Sequence, residues 1–201
     1  MESINLAKVG VEQAATQAVA TLRSGKLLIY PTDTVYGIGA DAQNETAVNR
    51  VRTLKGRDPL IPLSVVMRDF AMVSEYCEVT PVIQALLEKH LPGAFTFILK
   101  LKDTRIKTSD TGKVGVRIPQ HELVNRISAI FERPYVATSA NISHTPPLTT
   151  ISEILETFGK GLGLGDSVID AGTLLDLPST VVDLTAEHPT IIRKGVGIFT
   201  E

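Results

Sequence analysis

The sequence predicts an α/β fold: a twisted mixed sheet with packed helices, in a single domain spanning residues 1–201. Helical and strand patterns alternate along most of the chain, and three strand-like runs then follow one another at its end. That order suits a mixed sheet better than a strict βαβ repeat. No linker, low-complexity run or internal repeat divides the chain. Its 43% hydrophobic and 21% charged residues match ordinary globular usage, so a core forms without disulfides or a structural metal.

The elements follow in order. Val11 to Ser24 carries Ala14, Ala18, Val19 and Leu22 at helical spacing, and Gly25 supplies the stop. Lys26 to Tyr30 is a short apolar strand, and Thr32 to Gly39 mixes β-branched, aromatic and glycine residues as a strand with tight turns does. Asn44 caps a helix through about Lys55, with Ala47, Val48, Val51 and Leu54 inward. Pro62 to Met67 reads as a buried strand, Asp69 as the cap of a short helix, and Thr80-Pro81 as the start of a helix to His90. Ala94 to Leu101 and Val114 to Ile118 are strands separated by a polar, mobile loop, Thr104 to Lys113. His121 to Phe131 is helical, Tyr135 to Thr138 a strand, Asn141 to Thr149 a loop and Thr150 to Phe158 a helix. The closing strands are Ser167 to Asp170, Ser179 to Leu184 and Thr190 to Arg193.

Charge and composition remove several classes of function. A net charge of −2 argues against a protein held on nucleic acid mainly through phosphates, although a local basic groove is compatible with it. The N-terminus has neither the basic start nor the apolar run of a signal peptide, and no stretch has the 18 apolar residues of a membrane helix. Cys77 is the one cysteine and reads as a packed small hydrophobe; it and the four histidines lack ligand spacing, so no protein metal site is expected. A soluble, cytoplasmic protein is the expectation.

Three polar segments bear chemistry. Lys55-Gly56-Arg57-Asp58 places a mobile ammonium beside a planar guanidinium, which suits either a solvated basic turn or an anion such as a triphosphate. Pro31 to Gly39 sets Thr32 and Thr34 among glycines, as a structural turn or a ligand wall would. Ser139 and Asn141 follow a strand and share a face if extended, which serves either helix capping or joint binding of a polar ligand. Arg117 stands in an apolar strand and needs a partner: Asp33, Asp58, Glu122 or a substrate carboxylate. Arg193 poses the same question, and Ser179 adds a hydroxyl at a strand start. The chain has no GxxxxGK[ST], GxGxxG or GxSxG motif, so P-loop, Rossmann and serine-hydrolase sites are not indicated.

From about Ala14 to Gly197 the chain resembles the YrdC/Sua5 family of L-threonylcarbamoyladenylate synthases. The resemblance rests on Lys55-x-Arg57 with Ser139-x-Asn141, on Pro31 to Gly37, on Val116-Arg117-Ile118-Pro119, on Ser179 to Asp183, and on Arg193-Lys194-Gly195. It implies a large, concave, basic groove and an ATP-dependent nucleotidyltransferase. L-threonine, bicarbonate or CO2, and ATP would give threonylcarbamoyl-AMP and pyrophosphate. Separate tRNA threonylcarbamoyl transferase proteins would use the adenylate to build N6-threonylcarbamoyladenosine at position 37, with tRNA contact in the groove.

The resemblance assigns Lys55 and Arg57 to the ATP phosphates and the transition state. It assigns Asn141, Thr149 and Arg193 to the nucleotide, and Thr32, Thr34, Arg117, Ser139 and Ser179 to threonine, with Mg2+ accompanying the triphosphate. Many members carry asparagine or lysine at a nucleotide-contacting position where this chain has Ile61. Longer members add a linker and second domain, so the chain reads as the short form. Two alternatives remain from sequence: a paralogue without synthase activity, and a double-stranded RNA or tRNA-binding module.

Overall fold

The computed structural model describes residues 1–58 and 60–201, among which eleven strands and six helices are seen. The first element, β1 (Glu2–Asn5), is absent from the sequence reading. Ile4 is its one buried residue, and parallel pairing to β9 (Ser167–Asp170) makes it a strand. Asn5 then caps α1 (Leu6–Arg23), which is broken at Gly10 where φ is 78°. The stretch beyond that break is the helix expected from Val11.

The strands form two mixed sheets instead of one continuous sheet. The five-stranded sheet runs β1-β9-β2-β3-β8, where β2 is Leu28–Tyr30, β3 is Gly37–Gly39 and β8 is Thr138–Ser139. Period-two alternation sends Leu28 and Tyr30 to one face and Ile29 to the other. The first face packs on α1 and α5 (Glu122–Phe131) through Ala18, Leu22, Ile127 and Phe131. The second packs on α2 (Glu45–Lys55) and α6 (Ile151–Phe158) through Val48, Val51, Ile154 and Phe158. Asn44 and Thr150 cap those two helices, Thr150 through a reciprocal box with Glu153.

The six-stranded sheet runs β11-β10-β5-β6-β4-β7: Thr190–Arg193, Thr180–Asp183, Phe95–Lys100, Lys113–Arg117, Ser64–Val66 and Tyr135–Val136. Phe95, Phe97, Leu99, Val114, Val116 and Val182 face α3 (Phe70–Tyr76) and α4 (Pro81–His90), which Asp69 and Thr80 cap as expected. The opposite face follows from register. Arg193 pairs with Val181 and Gly115 with Ser64, so Arg193, Ser179, Thr96, Arg117 and Ser64 share one side. Gly115 is required there: a Cβ would lie 2.5 Å from Ser64 Oγ and 3.1 Å from Thr96 Cγ2.

The strand expected over Tyr135 to Thr138 is divided between the sheets, as β7 and as β8, which continues to Ser139. Ala137 N donates to Ser64 O at 2.8 Å and Ala140 N to Tyr36 O at 2.8 Å, so this segment crosses from one sheet to the other. The loop expected to be mobile is anchored at Ile106 and Thr108, both buried; Lys107 N donates to Ala42 O and Leu63 N to Thr108 O.

Candidate functional site

Gly56 ends α2 in the left-handed conformation, at φ 58°, and leaves Lys55 as the last helical residue. Its side chain is 1% exposed. Nζ donates to Ser139 O, to Asn141 O at 2.7 Å and to Asn141 Oδ1 at 3.4 Å. Ser139 Oγ donates to the same Oδ1, while Asn141 Nδ2 donates to Ile142 O at 2.9 Å and Thr145 O at 2.6 Å. The two sequence elements therefore form one hydrogen-bonded unit, in which Lys55 and Asn141 are buried and Ser139 is half-buried. Burial, and then the positive charge of Arg57, push the Lys55 ammonium down to about 7. The three acceptor oxygens favour its charged form.

Arg117 finds its partner in Asp33. Nη2 donates to Asp33 Oδ1 at 2.8 Å and to Thr34 Oγ1 at 3.0 Å, and Asp33 Oδ2 accepts from Gln120 N at 3.0 Å. Thr32 Oγ1 lies 3.0 Å from Thr34 Oγ1 and bonds Val35 O at 2.7 Å, so the two threonines act as one braced hydroxyl pair. Arg117 Nε is buried and has no hydrogen-bond partner, so one N–H of this guanidinium is unsatisfied.

Arg193 Nη2 donates to Ser179 O at 2.8 Å and Ser179 Oγ at 3.1 Å, and that hydroxyl lies 2.9 Å from Thr96 Oγ1. Arg57 Nη2 donates to Pro62 O at 2.9 Å and Nε to Ile61 O at 3.5 Å. Ile61 thus enters through its carbonyl, while its side chain is exposed. Thr149 stands apart in the capping structure of α6, with its hydroxyl donating to Glu153 Oε2 at 3.3 Å.

Electrostatics join what the chain separates. Burial, then the charges of Arg52 and Arg193, lower the proton affinity of Arg57. Arg193 is lowered by desolvation of its guanidinium, although the residue as a whole is exposed, and then by Arg117. Guanidinium groups from α2 and its turn, β11 and β6 therefore feel one another across the site, an arrangement an anion stabilises. Arg52 is the residue sequence reading missed. It lies on α2 at 8% exposure, three positions before Lys55, where an inward arginine among Val48 and Val51 was the available signal.

Among the described residues no group of three or more His, Cys, Asp or Glu converges to hold a metal ion. No helix of the described residues is long and apolar enough to cross a membrane.

The Sua5/YciO/YrdC family model, described as telomere recombination, matches residues 20–195. A threonylcarbamoyl-AMP synthase of Pyrococcus abyssi is 36% identical over 182 residues, which is 89% of this chain and 53% of the relative. The solved structure of P. abyssi Sua5 complexed with L-threonine superimposes with a TM-score of 0.84 at 32% identity, covering 96% of this chain and 57% of that one. Escherichia coli YciO gives 0.86 at 26% identity, over 98% and 96% of the two chains. The chain thus spans little more than half the length of the P. abyssi synthase it matches, and nearly all of YciO. By the family model and these identities together, the chain belongs to the Sua5/YciO/YrdC family.

Proposed function

We propose that the chain is an L-threonylcarbamoyladenylate synthase, making threonylcarbamoyl-AMP and pyrophosphate from L-threonine, bicarbonate or CO2, and ATP. The observation that carries this is the union of Lys55 with Ser139 and Asn141 in one hydrogen-bonded unit. The P. abyssi relative bearing the synthase name, and the threonine complex, support the same reading.

In this reading Arg117 takes the threonine carboxylate, while Thr32, Thr34, Ser139 and Ser179 hold the remainder of the amino acid. Lys55, Arg57 and Arg193 neutralise the triphosphate, with Asn141, Thr149 and the Ile61 carbonyl turn beside the nucleotide. The threonine ammonium first loses a proton. Its nitrogen then bonds to the carbon of CO2 and releases a second proton, leaving a carbamate. A carbamate oxygen attacks the α-phosphorus, and the bond to pyrophosphate breaks. No side chain becomes covalently attached, so catalysis is positioning plus charge stabilisation. Mg2+ would come on the triphosphate, since the described residues supply no cage for it. We further place the protein in the cytoplasm as a single catalytic domain, passing its product to tRNA-modifying partners, with tRNA contact along the basic side of the site.

The test follows pyrophosphate and adenylate from protein, L-threonine, bicarbonate and Mg-ATP. Release that requires both threonine and bicarbonate, and that Arg57→Ala lowers about 100-fold, is the expected result. ATP turnover indifferent to threonine, or none with folded protein, overturns it. The second outcome favours a YciO-like paralogue, to which the chain is similar over nearly its whole length.

A further inference from the structure

Arg52 grips the turn that carries Arg57 from the inside. Its Nη1 donates to Asp58 O at 3.4 Å and Ile61 O at 3.3 Å, and its Nη2 donates to Thr108 O at 2.6 Å. Arg57 reaches the same Ile61 carbonyl with Nε at 3.5 Å and continues to Pro62 O. Two guanidinium groups thus meet at one main-chain oxygen, one rooted in the helix and one facing the site. Thr108 O also accepts from Leu63 N at 3.1 Å, so the Arg52 fork ties the turn to both the 104–112 loop and the start of β4.

We propose that Arg52 is a positioning residue for Arg57: by holding the carbonyls of Asp58 and Ile61 it keeps the main chain in the form that aims the Arg57 guanidinium at a nucleotide phosphate. A lysine in its place has the charge but not the planar fork that spans Ile61 O and Thr108 O together. Its charge has a second effect, because a cation held beside Arg57 raises the local potential for an anion. The proposal deepens the reading that Arg57 binds ATP phosphates and rests on it. It is compatible with any side chain at position 61, isoleucine included, since the contact uses that residue's carbonyl.

The experiment measures Mg-ATP affinity by calorimetry for wild type, Arg52→Met, Arg52→Lys, Arg57→Ala and the Arg52→Met/Arg57→Ala double variant. Arg52→Met weakens binding about ten-fold and Arg52→Lys about three-fold. In the Arg57→Ala background, Arg52→Met adds less than about two-fold, because it acts through Arg57. An equal loss in both backgrounds, or wild-type affinity with lowered stability alone, overturns the proposal. If Arg52→Met fails to fold, Arg52→Lys decides: affinity equal to wild type overturns it. Wild type that binds Mg-ATP without threonine-dependent pyrophosphate release defeats the synthase reading and leaves this comparison intact. Folded wild type that binds no Mg-ATP defeats both.

Discussion

The ammonium of Lys55 and the carbonyl oxygen of Asn141, 86 positions apart, meet at 2.7 Å inside the protein. A charge so buried titrates near neutrality, pushed down to about 7 from an ordinary 10.5. Between those values the unfolded chain holds the proton more firmly than the folded one. The cost of burying the charge is therefore full below about pH 7 and is relieved as pH rises. A triphosphate beside Lys55 reverses the shift. Mg-ATP binding at pH 8 is expected to take up a proton, and binding at pH 6 to take up none. Calorimetry in buffers of different ionisation heat reads this directly, with Lys55→Met as control. Buffer-independent heats at pH 8 would contradict it.

Asp33 and Arg117 are about a tenth exposed or less, so neither charge is well hydrated without the other. Asp33→Asn leaves a buried guanidinium without its counter-ion and lowers stability by about 3 kcal/mol. A threonine carboxylate at Arg117 would replace part of the missing charge. Saturating L-threonine should then raise the melting temperature of the variant more than that of wild type. Equal shifts in the two proteins argue against a threonine carboxylate at Arg117.

Asp166 anchors the far side of the five-stranded sheet. Its fully buried carboxylate accepts from Leu27 N at 2.8 Å, Gly163 N at 2.7 Å and both Arg50 Nη groups. Burial pushes its pKa up, but Arg50 and the two amides outweigh that and hold it below the ordinary 3.8. Its contribution is present above the unfolded value and is lost as pH falls through the folded one. Asp166→Ala is expected to cost about 3 kcal/mol in urea titrations near neutrality, with the gap to wild type narrowing below about pH 4. A gap that stays constant into acid would show that the carboxylate's charge is not what matters.

Gly195 lets the C-terminal segment lie against Ser179. A Cβ there would fall 2.1 Å from Pro178 O and 2.4 Å from the Ser179 carbonyl carbon. Gly195→Ala must therefore push the segment away, and Arg193 loses its hold on Ser179. Mg-ATP affinity is expected to fall about ten-fold while the urea midpoint changes little. Unchanged affinity would detach the Arg193–Ser179 contact from nucleotide binding.

Much of this was legible in the sequence because it is local chemistry. Asn44, Asp69 and Thr80 are short polar residues ahead of apolar periodic runs, and each caps its helix through its side chain. Features made by long-range pairing were not. β1 has no pattern of its own, and the switch of Tyr135 to Ser139 between sheets depends on neighbours far along the chain. The site shows the same division. Lys55, Arg57, Ser139 and Asn141 stand out by type, whereas the oxygens that Lys55, Arg57 and Arg52 seize are mostly main-chain carbonyls. Every residue has one, so they leave no mark in the sequence. Asp33 was one of three acidic candidates for Arg117, and only the fold selects it.

The segment from Tyr135 to Ser139 also has a mechanical meaning. It is riveted to β4 at one end and to β3 at the other, so it works as a strut between two plates. Arg117 and Arg193 ride on one plate, while Ser139 and, through it, Lys55 are tied to the other. The gap between the two groups of site residues is therefore gauged by five residues of chain together with the Arg117–Asp33 ion pair, which also crosses between the plates. A core substitution that rotates one plate against the other would be felt there before it reached either surface.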